Sequence, residues 1–143
     1  MRLKSFVLIE QGQKYLLIQE ANEKWKGKWY LPGGGINDGE TAEQGAIREV
    51  IEESGFLVKL NQVFFVKYHK GFFNNKVSVY YTGEIIGGTV KTLADDDSLD
   101  VKWMSFEELK QVPLRKNLEE LINIYREHTN FIAVEDFKLK QND

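Results

Sequence analysis

Glu49, Glu52 and Glu53 fall three and four residues apart in the run Arg48-Glu49-Val50-Ile51-Glu52-Glu53, a spacing that puts all three carboxylates on one face if the run is helical. Ionised carboxylates within one turn repel each other, and Arg48 is the lone cation at the border of that face. A hard divalent cation relieves such repulsion. All-oxygen ligation suits Mg²⁺ or Mn²⁺, which keeps waters and shares its other positions with substrate phosphates. An ion held this way neutralises phosphate charge, orients a diphosphate and lowers the pKa of bound water. The element that must carry these groups is a helix over residues 42–54. Thr41 with Gln44 makes a capping box before it, and Gly55 stands where a left-handed residue ends a helix. Ile47, Val50 and Ile51 lie opposite the glutamates, so one face is expected to be buried and the other acidic. A mid-helix glycine costs about 1 kcal/mol relative to alanine, so Gly45, with Ala42 and Ala46 beside it, implies close packing against the preceding Gly33-Gly34-Gly35 loop.

The spacing of Gly34, Glu40, Arg48-Glu49, Glu52-Glu53 and Gly55, with apolar residues at the restricted places between and after them, resembles the signature box of the Nudix hydrolases, which here spans residues 34–56. Those enzymes cleave nucleoside diphosphates linked to another moiety. The resemblance implies that Glu49, Glu52 and Glu53 hold the metal, assisted by the backbone carbonyl of Gly33, and that Arg48 and Glu40 hold the carboxylates in place. Gly34 opens the box as a supporting residue. The family also places an acidic residue before a late strand as a metal ligand or as the base that activates water. Asp97, in the run Asp95-Asp96-Asp97-Ser98, matches that place; Glu52 or Glu53 is the alternative base.

Length and composition set the frame. At 143 residues, with 42% hydrophobic and 13% aromatic content, the chain is expected to form a single domain over residues 1–143 with one packed core. Without an 18-residue apolar run or a leader pattern, no membrane partner is expected and the expected location is cytoplasmic. Zero cysteines exclude disulfides and thiolate metal sites. A net charge of −3 argues against a nucleic-acid polymer as partner and favours a small-molecule nucleotide. Such a substrate needs metal beside three glutamates, or charge repels it. Lys24, Lys26 and Lys28 read as solubilising loop residues that also stand near the rim.

Alternating apolar positions predict strands at residues 4–9 and 15–19 around a glycine turn, a short strand at 29–31 stopped by Pro32, and strands at 57–60, 63–69, 77–86 and 101–104. Ser105 with Glu108 opens a short helix over 106–111, and Leu118, Leu121, Ile122 and Tyr125 predict a helix over 118–128. The pattern is α+β, a mixed sheet with helices on both sides; the resemblance likewise implies an α/β/α sandwich. Residues 131–143 are left open between an extra strand, a dimer contact and a docked end, and a homodimer is a possible assembly.

For substrate recognition the candidates are Tyr30, Tyr68, Phe72, Phe73 and Tyr80, with Glu20, Gly33 and Arg115 contributing to the pocket. Taken singly, each aromatic reads first as core or strand-face packing. A weaker resemblance, through Leu17-Ile18-Gln19-Glu20-Ala21, Trp29-Tyr30-Leu31-Pro32 and Pro113-Leu114-Arg115, is to the subgroup that acts on oxidised purine nucleotides. ADP-ribose, a nucleotide sugar or a dinucleoside polyphosphate are alternative substrates, and a non-catalytic nucleotide sensor is the alternative function. His69 and His128 read as structural.

Overall fold

A computed structural model of the chain describes residues 1–128 and 130–137. It contains β1 (Arg2–Gln11), β2 (Lys14–Gln19), β3 (Trp29–Tyr30), β4 (Gly33–Gly35), α1 (Ala42–Ser54), β5 (Phe56–His69), β6 (Lys76–Gly88), β7 (Asp100–Ser105), α2 (Phe106–Leu109), α3 (Leu118–Glu127), β8 (Ile132–Ala133) and a 3₁₀ turn, Val134–Asp136. The β1–β2 turn is made by Gly12 and Gln13, both at positive φ, the backbone that matches strand twist in a two-residue hairpin. Beyond the turn the two strands part. β2 pairs with β3 and β7, whereas β1 lies between β4, antiparallel, and β6, parallel. β5 then pairs with β6 and β8.

Strand alternation gives the sheet two apolar faces. Val7 and Ile9 pack with Leu16, Val79 and Tyr81 beneath Ala42, Ala46 and Val50 of α1. Phe6 and Leu8 pack with Leu17, Phe64 and Tyr80 beneath Leu118, Leu121 and Ile122 of α3. The fold is α+β, a mixed sheet between helices. Among the described residues no helix is long and apolar enough to cross a membrane.

α1 has the predicted bounds and both caps. Thr41 Oγ1 accepts from Gln44 N–H, Gln44 Oε1 accepts from Thr41 N–H, and Gly55 closes the helix with φ 85°. Several expectations need correction. Gly33–Gly35 is a strand, not a loop, because β1 offers it a free edge. The segments expected at 57–60 and 63–69 are one strand bent by register irregularities that include shifts at Leu60/Gln62 and Val63/Phe65. α2 stops at Leu109, short of the expected residue 111. The buried stripe of α1 is rotated toward the acidic side. Ile51 is 45% exposed while Glu53 is 5% exposed, since β1 and the glycine strand, not solvent, cover that flank. Of the readings left open for the C-terminal segment, Ile132–Ala133 takes the extra strand, paired with Gln62 and Val63; residues 138–143 lie outside the described residues.

Candidate active site

Gly33 sets the site because no other residue fits there. At φ +151° its missing Cβ would lie 2.2 Å from Ser5 O and 2.6 Å from Phe6 Cα, well inside van der Waals contact. This close approach lets Gly33 N–H donate to Glu53 Oε1 at 2.6 Å, pinning the third glutamate of α1 to the glycine strand. Gly45 has a similar reason: its Cβ would meet Glu40 Oε1 at 3.0 Å and Ile36 Cγ1 at 3.1 Å. The packing partner is the loop after the glycines, Ile36 and Glu40, so the expected close approach lies a few residues further on.

Arg48 ties this loop to the helix. Its Nε and Nη2 donate to the two oxygens of Glu40 at 2.8 and 3.0 Å, a two-point ion pair. Nη2 also donates to Gly35 O at 2.9 Å, and Nη1 to Glu49 Oε1 at 3.1 Å and Glu52 Oε2 at 3.2 Å. The guanidinium holds the Glu40 carboxyl below its ordinary pKa, helped by Asn37 N–H. Burial acts in the opposite direction on both Glu49 and Glu53. It pushes Glu49 up against the pull of Arg48, with Glu52 and Asp97 adding to the rise. It pushes Glu53 well above its ordinary value, with Glu49 adding and the Gly33 N–H opposing.

The end of α1 is held by two residues that sequence reasoning missed. Ser98 Oγ donates to Glu53 O at 2.7 Å, and Lys91 Nζ donates to Glu52 O at 3.1 Å and to Ser98 Oγ at 2.9 Å. The helix leaves its last carbonyls unpaired, and a loop lysine and serine answer them. Their signal in sequence is slight, since the partners lie 39 and 45 positions away. Asp95 carries the turn: its Oδ1 accepts from Asp97 N–H and Ser98 N–H. That leaves Asp96 and Asp97 facing the cleft.

A cleft of about 310 Å³ joins Glu49, Glu53, Asp96, Asp97 and Glu20 with Gly33 and Gly34. Gly34 lies against Glu49; a Cβ there would stand 3.0 Å from its carboxyl. Glu52 is not among the lining groups and is the most exposed of the three box glutamates, its side chain 39% exposed beside Arg48. Glu20 and Arg115 both reach the cleft, as expected, paired to each other. Tyr30 does not. It is 2% exposed, and its hydroxyl is 2.6 Å from that of Tyr80, itself buried. The Arg115 guanidinium stacks on the Tyr30 ring at 4.2 Å and on Trp25 at 4.6 Å, so Trp25 and Arg115 form the wall expected of Tyr30. Phe72 and Phe73 are each 94% exposed at the β5–β6 hairpin tip, and Tyr68 is 56% exposed; neither Phe72, Phe73 nor Tyr68 lines this cleft. Lys24 lines it, while Lys26 and Lys28 do not. A larger cavity, about 610 Å³, opens beside Glu10, Tyr125 and Phe131 and shares no lining residue with the carboxylates.

Among the described residues no three acidic or imidazole side chains converge as a formed metal shell. Arg48 turns Glu49 and Glu52 toward itself, and Gly33 N–H holds Glu53. The donor chemistry nevertheless fits a hard divalent cation. Glu53 is a nearly buried carboxylate with no cationic side chain on it among the described residues, Glu49 presses on it, and Asp96 and Asp97 face the same cleft.

The NUDIX domain model matches residues 2–125. An ADP-ribose pyrophosphatase of Methanocaldococcus jannaschii is 31% identical over 73% of this chain and 62% of its own. The human 8-oxo-dGDP phosphatase NUDT18 is 34% identical over 85% of this chain and 38% of its own. A solved NUDIX hydrolase from Nitrosomonas europaea superposes with a TM-score of 0.73 over 92% of each chain at 20% identity, a likeness of fold. The chain spans less than half the length of the first curated relatives it matches, 29% and 42%. With the box glutamates, Arg48 and the glycine strand assembled on this fold, and a family model covering most of the sequence, the chain belongs to the NUDIX domain family.

Proposed function

We propose that this protein is a metal-dependent hydrolase that cuts the pyrophosphate linkage of a nucleoside di- or triphosphate or of a nucleoside diphosphate derivative. The observation that carries this reading is the buried Glu53 carboxylate beside Glu49, in a cleft that also receives Asp96 and Asp97. Such crowding of acid groups destabilises the site and is relieved by a divalent cation, which can then accept an anionic phosphate beside them. Glu49, Glu52 and Glu53, with the Gly33 carbonyl, would hold Mg²⁺ or Mn²⁺. When bound, the ion supplies charge neutralisation on the diphosphate and a lowered pKa for water.

The chain's own residues do the rest. Arg48 and Glu40 fix α1 against the glycine strand, so that the carboxylates stay aligned while substrate binds. Asp97 accepts the proton of the attacking water, with Glu53 as the alternative acceptor. The new P–O bond forms as the bridging P–O bond breaks, and the phosphate on the far side leaves. Arg115, held by Glu20 and stacked between Trp25 and Tyr30, offers a rigid cation at the wall of the cleft. Positioning and charge supply most of the acceleration in such a displacement.

The relatives' names divide between ADP-ribose and an oxidised guanine nucleotide, so the substrate has to be found by assay. Phosphate and nucleotide release should be measured on nucleoside di- and triphosphates, 8-oxo-purine forms, ADP-ribose and nucleotide sugars, with Mg²⁺, with Mn²⁺ and with chelator. Turnover of one class that chelator abolishes supports the reading. Saturable binding without turnover of any compound would replace it with a nucleotide sensor.

A further inference from the structure

Next to the carboxylate cleft, and sharing Lys4, Phe6, Lys24, Trp25 and Arg115 with it, lies a second pocket of about 220 Å³. Six cationic side chains line it, Lys4, Lys24, Lys67, Lys76, Arg115 and Lys116, and no acidic residue does. In a chain of net charge −3 this is a local reversal of sign, not a general excess of lysine.

The sheet register builds the patch. Arg2 is opposite Lys76 and Lys4 opposite Ser78 across β1 and β6; Lys67 is opposite Ser78 and His69 opposite Lys76 across β5 and β6. Paired residues share a face, so the basic groups stand together at one end of three adjacent strands. The next row on the same face is aromatic, Phe6 and Phe65 each opposite Tyr80, with Phe6 stacked on Tyr80 at 5.0 Å. Like charges directly across strands destabilise a sheet, as Arg2 opposite Lys76 does here. Among the described residues the one ion pair made by the six cations is that of Arg115 with Glu20. The Asn117 amide lies 3.0 Å from Tyr30 Oη and 3.1 Å from Lys67 Nζ, orienting a lysine that has no carboxylate partner. Burial, with Lys76, Arg115, Arg2 and Lys24 adding to it, pushes the Lys4 ammonium down to about 8. A pocket that collects cations at this cost is complete when an anion enters it.

We propose that the substrate carries a second phosphate group, on the moiety remote from the scissile anhydride, and that Lys4, Lys67, Lys76 and Lys116 bind it. The proposal rests on the hydrolase reading above and narrows its substrate class. The diphosphate lies along the carboxylates, the sugar or base passes Trp25 and Phe6, and the distal phosphate enters the basic pocket. A polymer is disfavoured because its backbone would have to run past Glu49, Glu53, Asp96 and Asp97, which line the adjoining cleft.

Matched probes test this: ADP against 3′-phospho-ADP, ADP-ribose against its 2′-phosphate, and GDP against guanosine 3′,5′-bis(diphosphate). With Mg²⁺, kcat/KM is expected to favour the phosphorylated member of at least one pair by about tenfold or more, chiefly through KM, as charge-assisted phosphate contacts imply. In a Lys67→Ala/Lys76→Ala protein, and separately in Lys116→Ala, that ratio should fall toward unity. A wild-type ratio near one in all three pairs, or a ratio untouched by the lysine replacements, overturns the proposal while leaving the hydrolase reading intact. If none of these six probes is hydrolysed, the hydrolase reading is decided separately by the wider panel of triphosphates, 8-oxo-purine forms and nucleotide sugars. Calorimetric Kd values on the same pairs then decide: a lysine-dependent preference upholds the subsite, and equal affinities, or tighter lysine-dependent binding of a single-stranded oligonucleotide, overturn it.

Discussion

At the residue scale, Glu53 is where the proposed activity would be set against stability. A carboxyl whose folded pKa is raised above its ordinary 4.5 contributes stability that is fully present below that value and lost as pH rises through the folded pKa. Glu49 is shifted the same way, and Glu40, lowered by Arg48, acts oppositely and only below its ordinary value. In chelator, wild-type stability is therefore expected to decline as pH rises above about 4.5. Glu53→Gln should flatten that decline and raise the melting temperature at neutral pH, while lowering kcat/KM about a hundredfold or more. Parallel melting curves for the two proteins across pH 5–8 would show that this carboxyl is not the strained group. Arg48 makes five donor contacts to Glu40, Glu49, Glu52 and Gly35, a geometry one ammonium does not reproduce. Arg48→Lys is expected to weaken Mg²⁺ affinity by about tenfold to a hundredfold, read by titrating activity against metal.

α1 works as an element because both of its ends are tied. The N-terminal capping box is local, and Thr41→Ala should cost about 1 kcal/mol in urea unfolding with turnover per folded molecule unchanged. The C-terminal tie is tertiary, through Ser98 and Lys91. Ser98→Ala is expected to cost about 1 kcal/mol as well, but also to lower kcat, because the carbonyl it releases belongs to Glu53. Equal effects of the two substitutions on kcat would deny the loop its positioning role. Gly33→Ala is a sharper test of the glycine strand. The added methyl has no space between Ser5 and Phe6, so β4 must leave β1, and loss of at least about 2–3 kcal/mol is expected.

Across the whole molecule the sheet separates two tasks. One face supports α1 and the carboxylates, the other supports α3 and the aromatic floor of the basic pocket. Leu121, on the buried face of α3, is 1% exposed, and Leu121→Ala is expected to cost about 2–5 kcal/mol by chemical denaturation. Metal should act at the same scale. Raising Mg²⁺ at pH 8 is expected to stabilise the folded protein by mass action and to do so far less in Glu53→Gln; an unchanged melting temperature in wild type would argue against a site formed by these glutamates.

Local chemistry was legible from the chain. Thr41, Gln44 and Gly55 bound α1 because caps act within a turn, and the spacing of Glu49, Glu52 and Glu53 put them together because a helix has a fixed pitch. Asp97 and Arg115 reached the cleft as read, on the strength of the family pattern. Burial was not legible where two elements compete for one surface. Ile51 turned outward and Glu53 inward because β1 and Gly33–Gly35 cover the acidic flank, and an apolar pattern within one helix carries no information about that neighbour. Tyr30 lines the neighbouring basic pocket rather than the carboxylate cleft, its hydroxyl held by Tyr80. The basic pocket is the clearest case. Arg2, Lys4, Lys67 and Lys76 are unremarkable apart in sequence, and only the parallel pairing of β1 with β6 and the antiparallel pairing of β6 with β5 set their charges side by side.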